Sequence, residues 1–276
     1  MSGDVAAVVP EQAKSAEQQH VEEGHAATPA ACPSQEVTIH PDVTLREAMR
    51  AMRERGDLSL ASAVREWDEQ RRAYRVAKRA FDIAFSGAVL AAIAVPSLVL
   101  AAAIRLESPG NPFYGQERIG RLNADGTVST FRMWKFRSMY ADADERLKDL
   151  LDRNEVGGAM FKMRDDPRVT RIGRFIRKHS IDEFPQFLNV FLGQMSVVGP
   201  RPPLPRELPE YTAWDMQRLA VKPGLTGPWQ VGGRSDLDFD DMVRLDLQYI
   251  ASRSVANDLR LIVRTVGVVF SGEGAS

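Results

Sequence analysis

Cysteine is almost missing: Cys32 is the only one in 276 residues. No intrachain disulfide can form, which suits a reducing compartment. Histidine is scarce, with four in the chain, and no Cys/His cluster has the spacing of a zinc centre. Met1 is followed by neither a basic start nor an apolar core. A cleaved secretory signal is therefore not expected, and the main body is expected on the cytoplasmic side. The first 35 residues lack any apolar period and hold five acids (Asp4, Glu11, Glu17, Glu22, Glu23) against Lys14 alone. Such a tract cannot bury enough apolar surface to offset the entropy of ordering it, so residues 1–35 are expected to be a disordered tail. The formal net charge of −1 thus hides an uneven spread.

What the chain does contain begins with helical spacing over residues 43–80, broken at Gly56 and strongly basic at its end. This predicts two amphipathic helices. Residues 84–104, "AFSGAVLAAIAVPSLVLAAAI", then run for 21 residues without a charge. One straight helix of that length reaches about 32 Å, enough to cross a bilayer's hydrocarbon core. Pro96 stands near its middle, where a proline removes a hydrogen bond and bends the rod. Both flanks are basic, with Arg71, Arg72, Arg75, Lys78 and Arg79 before and Arg105 after. A helix broken at Pro96 that enters and leaves by one face satisfies both flanks. A straight span and a buried Ala-rich core helix are the other readings. Further on, Asp125-Gly126 marks a hairpin between "PFYGQERIG" and "VSTFRMWKFRSM". The last 30 or so residues read as two amphipathic helices, the final one with Leu259, Ile262, Val263, Val266 and Phe270 in a stripe. That stripe suits a membrane surface or an ordinary core.

Between 162 and 178 stand Lys162, Arg164, Arg168, Arg171, Arg174, Arg177 and Lys178, opposed only by Asp165 and Asp166. A basic face of this kind repels itself unless anions are supplied: nucleic acid, lipid head groups or a nucleotide diphosphate. Phe175 within it and Phe161 just before it are the only aromatics there, too few for a base-stacking platform. Asp182 and Glu183 follow within a turn. One reading is a helix cap, with Ser180 and Glu183 as a capping box or Asp182 as the N-cap ahead of Pro185. The other is phosphoryl chemistry: arginine forks grip phosphate, and a carboxylate held in line attacks phosphorus. Hard carboxylate oxygens would suit Mg²⁺ as the accompanying cation.

The segments "KRAFDIAFSGAVLAAIAVP", "GQERIGR", "FRMWKFRSM", "DDPRVTRIGRFIRKHSIDEFPQFLNVFLGQMSVVGPRP", "VKPGLTGPWQVGGRS" and "RLDLQYI" occur in one order over about residues 78–272. In that order they resemble the bacterial sugar transferases, the monotopic polyprenyl-phosphate phosphoglycosyl transferases. The resemblance implies transfer of hexose-1-phosphate from a UDP-hexose to undecaprenyl phosphate, with release of UMP, at the cytoplasmic face of the inner membrane. It implies Asp182 as nucleophile, Glu183 as its partner acid, Mg²⁺ at the pair, and Arg177 on substrate phosphate. Lys135, Arg137, Arg201 and Arg234 are expected as further pocket cations. Downstream glycosyltransferases are the expected partners, and nucleic acid is not.

The fold expected is mixed α+β and mostly helical. It comprises a Pro-kinked re-entrant helix over about 82–105, interfacial amphipathic helices and a small hairpin. The expected layout is a tail (1–35), a helical extension (36–77), the transferase domain (78–272) and a tail (273–276). A membrane-tethered anion-binding or assembly protein without catalysis is the competing function. Val95 stands before Pro96 where some family members carry serine.

Overall fold

The computed structural model describes residues 52–147, 163, 166–232 and 237–271. The expected tails at 1–35 and 273–276, and Arg234, lie outside the described residues. The fold is mixed and mostly helical, as expected, with one long apolar helix and a two-stranded antiparallel hairpin.

A helical turn at 52–55 leads into α1 (Ser59–Gln70), and α2 (Arg72–Glu107) begins directly after Arg71. The hairpin pairs β1 (Phe113–Leu122) with β2 (Val128–Phe136), setting Tyr114 opposite Lys135 and Arg118 opposite Phe131. Its turn carries Gly126 at φ 77°, a left-handed backbone that glycine adopts without steric cost. Next come α3 (Ala143–Leu147), α4 (Arg171–Lys178), a 3₁₀ turn (Ile181–Glu183) and α5 (Gln186–Leu192). Strand β3 (Ser196–Val198) pairs in parallel with β4 (Gly224–Thr226), and the connection between them contains α6 (Ala213–Met216) and two 3₁₀ turns. Helices α7 (Pro228–Gly232), α8 (Phe239–Ser252) and α9 (Val255–Ser271) follow.

Helix α2 departs from expectation in two ways. It starts ten residues earlier than 82, so the basic residues from Arg72 to Arg79 belong to it and the boundary expected at 77/78 falls inside it. It also runs through Pro96 to Glu107 without the expected break. Proline leaves the Ala92 carbonyl without its usual N–H partner. The Ala- and Leu-rich turns on either side are strong helix formers and carry the helix across that gap.

At 36 residues, α2 is about 54 Å long, and it lies against the folded body along much of that length. Phe81 and Phe85 pack on the main core with Val190, Val198 and Tyr249, while Ile104 is buried with Phe136 and Ile176. Near its start, Arg79 donates to the Val190 and Phe191 carbonyls, both at 2.8 Å, and Asp82 accepts from the Val197 amide at 3.0 Å. At its end, the Glu107 carboxylate accepts from the Arg171 and Ile172 amides at 2.8 and 3.0 Å. Glu107 thereby meets the positive N-terminus of α4. The outer face stays bare, with Leu98 71% and Leu106 87% exposed.

Residues 52–70 are not an appendage. Met52, Leu58 and Ala61 are buried in one cluster with Ile119, Leu122, Leu208 and Met216. Asp68, itself buried, receives Arg253 and Arg121 in ion pairs. A helix pattern alone showed an amphipathic face without showing what it covers. The last helix is likewise split: Leu261 is buried in the main core, while Leu259, Val263 and Val266 face outward.

Candidate active site

Three elements bring the expected charges together. Strand β2 carries Lys135, α4 carries Arg177 near its C-terminus, and the 3₁₀ turn carries Asp182 and Glu183. Between α4 and that turn, Ser180 takes φ 54°, the only positive φ at a non-glycine among the described residues. This sparsely populated backbone reverses the chain so that the turn faces β2.

Neither capping reading holds. Ser180 makes no side-chain cap, and α5 starts after Pro185 with no side-chain cap either. The carboxylates face cations instead. Lys135 Nζ lies 2.9 Å from Glu183 Oε1 and 4.0 Å from Asp182 Oδ2. Arg177 Nε donates to Ser138 Oγ at 2.8 Å, and the charge of Asp182 acts on its guanidinium. Burial pushes the Asp182 carboxyl up to about 6, and Glu183 adds to the rise against the pull of Lys135 and Arg177. A buried carboxylate is poorly solvated, which makes it a better nucleophile once ionised.

Ser138 was not singled out from sequence, and Asp166 and Arg168 were named only as members of the charged run, not as a pair. Asp166 holds Arg168 in a 2.6 Å ion pair, and its charge also acts on Arg177. Ser138 is located by a backbone approach that no residue pattern signals. A Cβ built on Gly173 of α4 would stand 1.9 Å from the Ser138 carbonyl oxygen. Gly173→Ala should therefore force α4 off the strand exit, lowering Tm by several degrees for a cost of about 2 kcal/mol. A thermal melt of the two proteins checks this.

The other expected cations divide. Arg201 is exposed, with its guanidinium 5.8 Å from the Trp229 ring centre, and its charge acts on buried Arg118. Arg137 is engaged elsewhere: it donates to the Ser108 carbonyl and, at 2.8 Å, to the Pro109 carbonyl. Strand alternation would have aligned it with Lys135, but β2 ends at Phe136 and the alternation ends with it. Arg137 thus fastens the chain leaving α2.

Beside the acidic pair opens a groove of about 410 Å³ lined by Leu90, Ile93, Phe113, Trp134, Phe184 and Leu188, among others. Phe184 directly follows Glu183 in the chain, and Trp134 directly precedes Lys135. The Asp182–Glu183 pair and Lys135 therefore adjoin an apolar trough with α2 as one wall.

A family model described as bacterial sugar transferase matches residues 73–272. The chain belongs to that family. This bacterial sugar transferase is 45% identical over 202 residues to the galactosyl transferase CpsE of Streptococcus agalactiae, covering 72% of this chain and 43% of the relative. It is 40% identical over 210 residues to the undecaprenyl-phosphate galactose phosphotransferase of Salmonella typhimurium, covering 74% and 43%. It is 37% identical over 204 residues to the exopolysaccharide production protein ExoY of Rhizobium meliloti, covering 72% and 88%. The chain spans less than half the length of the first two relatives and most of the third.

No group of three or more His, Cys, Asp or Glu residues able to hold a metal occurs among the described residues. Asp182 and Glu183 still fit Mg²⁺, which typically takes one or two carboxylates and completes its shell with water and substrate phosphate oxygens. Bound there, Mg²⁺ would screen the repulsion between a carboxylate and an anionic diphosphate.

Proposed function

We propose that the chain moves a hexose-1-phosphate from a UDP-hexose to undecaprenyl phosphate through a covalent aspartyl intermediate, releasing UMP. The supporting observation is buried Asp182 beside Glu183, held among Lys135 and Arg177 at an apolar groove walled by the long apolar helix α2. In the first step an Asp182 oxygen bonds to the sugar-bearing phosphorus, and the bond from that phosphorus to the UMP oxygen breaks. UMP leaves with the electron pair. In the second step a phosphate oxygen of the polyprenyl carrier attacks the same phosphorus, and Asp182 departs as a carboxylate. Arg177, whose Nε is fixed by Ser138, meets the phosphate charge with its two remaining nitrogens. The polyprenyl chain lies in the groove, placing its phosphate against Lys135.

Relatives are named for galactose, glucose and N-acetylgalactosamine transfer, so the sugar is the open variable within the class. The reaction would be the first membrane step of an exopolysaccharide or capsule, feeding downstream glycosyltransferases. Purified protein given a panel of UDP-sugars and Mg²⁺ should release UMP with repeated turnover only when polyprenyl phosphate is present, and at most one UMP per enzyme without it. Sustained UMP release well beyond one equivalent in the absence of polyprenyl phosphate would count against the proposal. Because Asp182 must be ionised to attack and its carboxyl sits at about 6, kcat should fall as pH drops through 6. An unperturbed aspartate would hold the rate down to about pH 4. A pH–rate profile distinguishes the two.

A noncatalytic anion-binding protein would gain nothing from a carboxylate buried at the centre of its cations. It would instead show steeply salt-dependent binding to bulk polyanions.

We also propose that α2 does not thread the bilayer, and that both its ends stay on the cytoplasmic side of the inner membrane. Contacts from Arg79 at one end and Glu107 at the other to a single folded body support this. In a Cys32→Ser background, Val76→Cys and Leu106→Cys should both label from the cytoplasmic side alone. Labelling from opposite sides would mean a straight span.

A further inference from the structure

Paired residues of an antiparallel ladder point to the same side, and alternate residues repeat that side. Tyr114, Gln116 and Arg118 therefore share the hairpin face that carries Lys135. Arg118 is 5% exposed. Its Nη1 donates to the Pro202 carbonyl at 3.0 Å and its Nη2 to Gln116 Oε1 at 2.7 Å, while Nε has no partner. No carboxylate among the described residues forms an ion pair with it. Burial and the nearby charge of Arg201 push its pKa down to about 10, against the attraction of Glu207 and Glu183.

A buried guanidinium without an acid partner is costly, and a salt bridge would have been the ordinary remedy. Here the side chain grips the carbonyl of Pro202, the residue directly after Arg201. The neighbouring Ile119 amide donates to the Pro203 carbonyl at 2.9 Å, so β1 is fastened to this segment at two successive residues. On its other side Arg201 has the Trp229 ring. A carboxylate partner for Arg118 would cancel positive charge close to Glu183 and Arg201. Its absence keeps this end of the site positive for an anionic ligand.

We propose that Arg118 is a positioning residue for the phosphate site, fixing the Arg201 segment against β1 so that Arg201 meets the diphosphate of the nucleotide-sugar. This rests on the transferase reading above. It names Arg201 as the group that touches the ligand and Arg118 as the group that acts through it.

The test uses the full chain in detergent or nanodiscs with a UDP-hexose that the wild type turns over. Arg118→Met, Arg118→Lys, Arg201→Met and the Arg118→Met/Arg201→Met double variant are compared for kcat, for KM of each substrate and for Tm. Arg118→Met should raise KM for the nucleotide-sugar by at least about tenfold, leave KM for polyprenyl phosphate within about twofold, and keep or raise Tm, since an unpaired buried charge is lost. Arg118→Lys, which keeps the charge and loses the fork, should fall between. The double variant should lose much less than the product of the single losses, because one residue works through the other.

An unchanged KM in folded Arg118→Met overturns the proposal, as do single losses that multiply in the double variant. Should Arg118→Met fail to fold, Arg118→Lys decides, and wild-type KM there overturns it. A wild type that turns over no nucleotide-sugar sinks the transferase reading along with it. An active wild type with an indifferent Arg118 sinks only this inference.

Discussion

Asp182→Asn should abolish transfer, lowering kcat by at least about 10⁴-fold, because an amide oxygen cannot form and then release the acyl-phosphate bond. The variant should remain folded and membrane-bound, and the sign of its stability change follows from titration. The Asp182 carboxyl sits at about 6 in the folded protein against an ordinary 3.8, so the folded state holds the proton more tightly than the unfolded chain. Ionisation therefore costs stability as pH rises from about 4 through 6, and above 6 the full cost is present. Asparagine removes it. Above pH 7 the variant should melt at or above the wild-type temperature, which separates a dead nucleophile from a damaged fold. Lower activity together with a clearly lower Tm would point to a structural role.

Arg177→Lys should cost about 10³-fold in kcat, nearly as much as Arg177→Met, at the lower end of the range found for arginines that offset phosphoryl charge. The physical reason is the division of labour within one guanidinium. Its Nε is held by Ser138 at 2.8 Å, which leaves the Nη pair as a fixed fork. A lysine cannot both bond Ser138 and present two parallel donors. Ser138→Ala, which frees the fork without removing it, should cost only about tenfold. Steady-state kinetics on the three variants checks the ranking. A lysine variant with wild-type kcat would mean that charge alone suffices there.

The parts of this site that could be read from the chain were those fixed by local chemistry. Asp125-Gly126 made the hairpin, and the hairpin put Lys135 on a strand. The adjoining acids behind a basic helix pointed to anion chemistry before any contact was known. What escaped was set by tertiary packing. The capping readings failed because Ser180 adopts a left-handed backbone, a choice that local propensity disfavours and the surrounding fold imposes. Arg137 was expected as a pocket cation beside the family resemblance, and its carbonyl partners after α2, Ser108 and Pro109, lie 28 to 29 residues away in the chain, which no local pattern signals. The β3–β4 pair, three residues each, is too short to leave a periodic trace. Pro96 marked a weak point in α2 correctly by its chemistry. It could not show that a helix so rich in alanine and leucine, tied down at both ends, would run through.

The most direct measurement is mass spectrometry of the wild-type protein incubated with a UDP-hexose and Mg²⁺ in the absence of polyprenyl phosphate. A hexose-phosphate mass on the peptide containing Asp182, absent from Asp182→Asn and discharged on adding the polyprenyl acceptor, is the result expected. No such adduct in a preparation that turns over normally once acceptor is supplied would contradict the account.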